Sequence, residues 1–344
     1  MGVISMRFRL QMAFLLGLAG LLAGIGALAQ DAPPVSELRQ SVNQGHASEA
    51  LKKIAALRTQ SSTLKGLSRV EGLAQFAQGD LRSADEAFRM AIQEDPTDLE
   101  AVQMRGLVLF RRGRPADAIP LLEASKAKRD GKADPYYVLG LCYMDARRYD
   151  DSRHAFAAQY GFEPDSAPAY LVAARMMLRR ESLPIAKQYA EKALALEPTL
   201  PLAHELLGEI ALAGNHLEEA ITDFEAEKAH NPLEASVYDR LGDAYVRAAK
   251  YDDAQLSLQQ AVLLEPTATG PYILLGKTLL KKGDPLAAAT YLERANGLDP
   301  ANYMTHSLLA QAYRSMGRKD DATRENEAAQ KIQSASEPKF SDVK

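Results

Sequence analysis

Along Leu241–Pro266, LGDAYVRAAKYDDAQLSLQQAVLLEP, small or apolar side chains stand at Leu241, Gly242 and Tyr245, and again at Ala254, Leu258 and Ala261. Steps of three and four put each set on one stripe of a helix, whereas a strand would alternate every second residue. The pattern predicts two short amphipathic helices joined by a polar turn. Leu275–Pro300 repeats it 34 residues later, again opening on Leu-Gly and closing on Pro.

Counted from residue 31 in steps of 34, units begin at 31, 65, 99, 133, 167, 201, 235, 269 and 303, and the ninth ends at Ser336 without an insertion. Position 8 of the unit is Leu38, Gly72, Gly106, Gly140, Ala174, Gly208, Gly242, Gly276 and Ala310. Position 20 is Ala50, Ala84, Ala118, Ser152, Ala186, Ala220, Ala254, Ala288 and Ala322. Position 24 is usually large and apolar (Ile54, Phe88, Leu122, Phe156, Phe224, Leu258, Leu292), and position 32 is Pro at Pro96, Pro164, Pro198, Pro232, Pro266 and Pro300. Positions 4, 8 and 11 share a stripe of the first helix, and 20, 24 and 27 a stripe of the second. Small residues at 8 and 20 let the two helices approach closely. Pro at 32 ends the second helix, and Gly79, Gly113, Gly283, Gly317 or Asn215 at position 15 turns the chain between them.

Tyr238, Leu241, Gly242, Tyr245, Ala254, Leu258, Ala261 and Pro266 meet a known signature of large, Leu-Gly, Tyr, Ala, Phe, Ala and Pro. On these residues the chain resembles the tetratricopeptide repeat. The resemblance covers residues 65–333 and implies an all-α, right-handed α-solenoid of about nine 34-residue helix-turn-helix repeats. Eight in-phase units fill 65–336. The unit at 31–64 is atypical, with Pro33 and Pro34 early and Leu38 at position 8, and the next two carry Glu71 and Arg105 where Leu is usual. The last helix, about Asp320 to Gln333, has Asn326 at position 24 in the polar run RKDDATRENEAAQK and is expected to cap the stack. Residues 337–344 lack apolar periodicity and are expected to form a disordered tail.

Residues 1–29 break the repeat. Arg7 and Arg9 precede an apolar run, Leu10 to Leu28, that ends in Ala27-Leu28-Ala29, which reads as a secretory signal peptide cleaved after Ala29. The run is also long enough to span a bilayer, so an inner-membrane anchor at residues 10–28 is the alternative. Composition adds to this. No Trp, 7% aromatics and many Ala, Leu, Glu and Lys residues favour helix over strand. Removing Arg7 and Arg9, the only charges in the segment, takes two positive charges from a formal net charge of -4 and leaves -6. A mildly acidic exported chain is a poor nucleic-acid binder. Cys142 is the only cysteine, so no internal disulfide can form.

Residues that could carry chemistry have better accounts in the repeat. The acidic pairs Asp150-Asp151, Glu218-Glu219, Asp252-Asp253 and Asp320-Asp321 occupy the same two slots of four units, at the start of the second helix, where acids complement its dipole. His204-Glu205 opens like a zinc-protease helix, but Gly208 stands where the second His would be. His204 and His306 both fill position 4, the slot of Tyr136, Tyr170, Tyr238 and Tyr272. Ser62-Thr63-Leu64-Lys65 spells S-x-x-K without the companion motifs of the serine acyl-enzymes. Cys142 reads as a small packing residue. No catalytic, cofactor or metal site is expected.

In the family, positions 2, 5, 9, 12 and 13 of the first helix line a concave groove. Mapped here they give Gln103, Leu107, Phe110 and Arg111, then Tyr137, Leu141, Met144 and Asp145, then Leu171, Arg175, Leu178 and Arg179. Glu205, Glu209, Asp239, Asp243 and Arg247 follow, and Lys277, Lys281, Gln311 and Arg314 close the row. Arg175 and Arg179, four apart, are expected to meet a partner carboxylate. The position-9 Asn of domains that clamp chaperone C-termini is missing. The resemblance implies a non-enzymatic protein-protein interaction scaffold in the bacterial envelope, exported to the periplasm, whose partner is a protein or peptide segment. The alternatives are an accessory subunit of an envelope enzyme, secretion or polysaccharide-export complex, or a membrane-anchored glycan or cell-wall binder. The membrane enters only if the N-terminal segment is uncleaved.

Overall fold

The computed structural model describes residues 33–59, 64–126 and 135–336. The expected signal segment, Ser62 and Thr63, and the expected tail lie outside them. The described residues form helices and turns, with no strand among them. The chain divides into two compact bodies, Met1–Ala173 and Ala174–Lys344. The first holds α1 (Pro33–Asn43), α2 (Ala47–Thr59), α3 (Leu67–Ala77), α4 (Leu81–Glu94), α5 (Leu99–Arg111), α6 (Pro115–Ser125), α7 (Tyr136–Asp145) and α8 (Tyr149–Tyr160). The boundary falls inside α9 (Ala167–Arg179). The second holds α10 (Leu183–Leu196), α11 (Ala203–Ala213), α12 (Leu217–His230), α13 (Ala235–Arg247), α14 (Tyr251–Leu264), α15 (Thr269–Lys281), α16 (Pro285–Leu298), α17 (Tyr303–Ser315) and α18 (Lys319–Ser336).

Within each hairpin the small residue at position 8 meets the large one at position 24. A Cβ on Gly72, Gly140 or Gly208 would lie 2.7, 2.7 or 2.6 Å from the ring of Phe88, Phe156 or Phe224. On Gly242 and Gly276 it would lie 2.5 and 2.4 Å from Leu258 and Leu292. These distances leave no room for a side chain at these five glycines. Position 20 is buried alongside, and its one hydroxyl, Ser152, is satisfied by the Gly140 carbonyl at 2.9 Å. The intervening turn is left-handed at position 15 in every unit: at Gly45, Gly79, Gly113, Gly283 and Gly317, but also at Arg147, Glu181, Asn215 and Ala249.

Neighbouring hairpins are joined by a recurrent phenol. Tyr245 donates to Glu225 at 2.9 Å, Tyr313 to Glu293 at 2.7 Å, and Tyr143 to Glu123, in each case from position 11 to position 25 of the preceding unit. Arg148 and Arg318 cover two of these rings, at 4.5 and 4.3 Å from the centroids. The two irregular units are also explained. Glu71 is paired with Arg58 on α2, and Arg105 with Asp85 on α4 at 2.9 Å, so each charge in a Leu slot meets its opposite from the preceding second helix.

First helices of successive hairpins also touch each other, α1–α3–α5–α7 in the first body and α11–α13–α15–α17 in the second. Second helices show no contact of comparable extent among the described residues. Within each body the first helices are therefore the inner layer of a bend, and the second helices the outer one.

Candidate functional site

The inner layer of the first body is largely occupied by its own contacts. Arg39 on α1 reaches Glu100 on α5 at 2.7 Å, and Arg69 on α3 reaches Asp98 at 2.7 Å and Glu100 at 3.3 Å. Four charged groups thus neutralise one another across three helices, Arg69 and Glu100 buried and Arg39 and Asp98 partly so. Further along, the Arg111 guanidinium lies 5.0 Å over the Phe76 ring, and Tyr137 stands edge-on to Phe156 at 5.9 Å. Phe110, Tyr137 and Leu141 are half-buried, and Arg111 is exposed.

Met144 and Leu171, expected on the open groove, are instead 6% and 4% exposed. Each sits at the margin of the helical stripe, where the apolar core takes it in. Glu205 belongs with them at 4% exposed. These three residues support the layer rather than face a partner.

The inner layer of the second body carries a ladder of ion pairs. Arg175 Nη1 meets Glu209 Oε2 at 3.0 Å, and Arg240 bridges Glu209 at 2.6 Å and Glu205 at 3.1 Å. Ser236 adds a hydroxyl donor to Glu205 at 3.3 Å. Asp243 pairs with Arg247 at 2.9 Å on the same helix. Arg175 therefore already holds a carboxylate of its own chain, contrary to the expectation that it waits for a partner's. Arg240, at position 6, lies one residue outside the groove positions read from the sequence and so was not among the candidates.

What the ladder leaves over is informative. Asp239 has one carboxylate oxygen shielded from solvent without a hydrogen bond, and burial raises its pKa despite the nearby Arg240. Lys277 and Lys281, one turn apart on α15, and Arg314 on the adjoining α17 are exposed. None of the three forms an ion pair with another described residue. Leu178 is half-buried and Arg179 exposed.

The other residues singled out in the sequence are spent on packing. His204 meets Asp223 at 3.0 Å and stacks on His230 with centroids 6.0 Å apart. Burial pushes the Asp223 pKa up, and His204 partly offsets it. Gly208, in the place of a second zinc-binding histidine, is the glycine pressed against Phe224. Cys142 is buried. The acidic pairs lie in the first turns of α8, α12, α14 and α18, where Arg148–Asp151 and Arg318–Asp321 pair locally, both at 2.7 Å. Among the described residues no group of three His, Cys, Asp or Glu is gathered as a metal site.

Family models described as tetratricopeptide repeat match residues 69–136 and 104–170, 235–267, and 279–338, together more than half of the chain. Among curated relatives, Protein CTR9 homolog of Arabidopsis thaliana is 23% identical over 265 residues, covering 73% of this chain and 24% of that protein. Cellulose synthase operon protein C of Xanthomonas axonopodis pv. citri is 25% identical over 288 residues, 80% of this chain and 17% of that protein. The chain thus spans less than a quarter of the length of either. The solved structure of YrrB, described as a TPR protein with an unusual peptide-binding site, aligns with a TM-score of 0.47 at 21% identity, over 54% of this chain and 95% of that one.

Proposed function

This chain belongs to the tetratricopeptide-repeat family, and from that premise we propose that it is a non-catalytic scaffold that binds a protein segment along the inner layer of its first helices. The observation that carries the reading is the charge along α11–α17. Most of that surface is neutralised within the chain, through Arg175, Glu209, Arg240, Glu205, Asp243 and Arg247. Lys277, Lys281 and Arg314 are not, and three unmatched cations on two adjoining helices favour an anionic segment.

The proposal extends to place. The Ala27-Leu28-Ala29 site behind an apolar run supports export to the periplasm, and among the described residues no helix is long and apolar enough to cross a membrane. One relative bears the name of a cellulose synthase operon protein, which favours an envelope polysaccharide complex as the setting.

One capture experiment from native envelopes tests both parts. Lys277→Glu, Lys281→Glu and Arg314→Glu together should abolish capture of the wild-type partners while leaving helical content and Tm nearly unchanged, because all three side chains are exposed. The captured wild-type chain, weighed intact, should begin at Gln30. Unchanged capture would remove this section of the layer from the site, and a mass retaining residues 1–29 would move the protein to the anchored alternative.

A further inference from the structure

The last hairpin, α17–α18, is closed by a histidine whose two ring nitrogens both face acceptors. His306 Nδ1 lies 2.7 Å from Glu325 Oε2 on α18, and Nε2 lies 3.0 Å from the Pro300 carbonyl. The residue is 7% exposed and Glu325 is 9% exposed. A neutral imidazole carries one N–H, so only the doubly protonated ring donates at both ends. With a single proton, one nitrogen would turn a lone pair toward a carbonyl or a carboxylate at hydrogen-bonding distance.

In four earlier units the same slot holds tyrosine. Tyr238 donates to the Pro232 carbonyl at 3.0 Å and Tyr272 to the Pro266 carbonyl at 3.3 Å, each six residues back, as Pro300 is from His306. A phenol keeps its proton throughout the neutral range. His306 makes this contact with a ring that titrates near neutrality.

We propose that His306 and Glu325 form a proton-dependent latch that holds the terminal helix α18 against α17 and releases it as pH rises above neutrality. The surrounding charges leave the pair to itself. Arg324, on α18, approaches the other Glu325 oxygen only to 3.5 Å and pairs with Asp321 at 2.8 Å. Glu293, on α16, is taken by Tyr313 of α17 at 2.7 Å. Among the described residues Glu325 is the one carboxylate in ion-pair reach of His306. Burial draws the His306 pKa down, but the Pro300 carbonyl and the Glu325 carboxylate outweigh it and hold the value above that of a free histidine. A raised folded-state value means that the contribution is fully present below the unfolded value, about 6.5, and is lost as pH climbs through the folded one. Above that point the Glu325 side chain, nearly buried, loses its imidazolium partner and retains only the 3.5 Å contact to Arg324.

Hydrogen exchange of the full chain, read as protection of residues 319–336 relative to α16 and corrected for the intrinsic rate, tests the latch. Between about pH 6 and pH 8.5 the wild-type ratio should fall severalfold, as the second ring proton of His306 is lost. His306→Tyr supplies the fixed donor of the earlier units, and Glu325→Gln removes the buried charge. Either variant holding its ratio flat while the wild type falls supports the latch, so loss of α18 in one variant leaves the other to be read. A constant wild-type ratio, or an equal fall in both variants, overturns it.

Discussion

A Cβ on Gly242 would sit 2.5 Å from Leu258, and the same opposition recurs at Gly72–Phe88, Gly106–Leu122, Gly140–Phe156, Gly208–Phe224 and Gly276–Leu292. Outside the atypical first unit, with Leu38 and Ile54, the exceptions compensate in sequence. Where position 8 is Ala174 or Ala310, position 24 is Ala190 or Asn326 in place of Phe or Leu. Gly242→Ala should therefore cost about 1–3 kcal/mol by overpacking, and adding Leu258→Ala should cost less than the two single changes summed, because the smaller partner makes room for the methyl group. Thermal unfolding of the four chains measures the coupling, and simple additivity would mean that the two positions do not oppose each other. This layer of the structure was legible in the sequence, since one short-range contact fixes both residues. Glu71 and Arg105 were not. Their partners, Arg58 and Asp85, come from the preceding second helix, and no spacing within a unit points to them.

The turn within each hairpin separates what the chain needs from what it carries. Position 15 takes a positive φ in all nine units, yet Arg147, Glu181 and Ala249 adopt it, at 57°, 58° and 56°, with a Cβ in the way. Sequence reading found the turn at four of the five glycines and at Asn215 and passed over Arg147, Glu181 and Ala249, because there the hairpin packing imposes the conformation. Ala249→Gly relieves that strain at some cost in unfolded-state entropy, and the net expected gain is about 0.5–1 kcal/mol. A rise in Tm checks it, and an unchanged or lower Tm would show that the turn is not strained. The groove residues were harder to read for a related reason. A helical stripe tells which side faces the core, but not where its edge lies. Met144 and Leu171 fall inside that edge, and Glu205 is drawn in by the ladder with Arg240.

Across the molecule, each body has a bent inner layer of first helices, and the two layers differ in what they leave open. In the first, mutually paired charges at Arg39, Arg69, Asp98 and Glu100 close the surface on itself. In the second, ion pairs fix α9–α11–α13, and three cations stay unmatched on α15 and α17. The outer layer also shows apolar residues, with Leu256 on α14 67% exposed. The central claim is that partners engage the inner layer, and a photo-crosslinking residue placed at Lys277 on one copy of the chain and at Leu256 on another tests it most directly. Both positions are exposed on well-formed helices, so neither substitution should disturb the fold. The account predicts a partner adduct from position 277 that is lost when Lys281 and Arg314 are changed to Glu, with none from position 256. An adduct from position 256 alone would contradict it and assign binding to the outer helices.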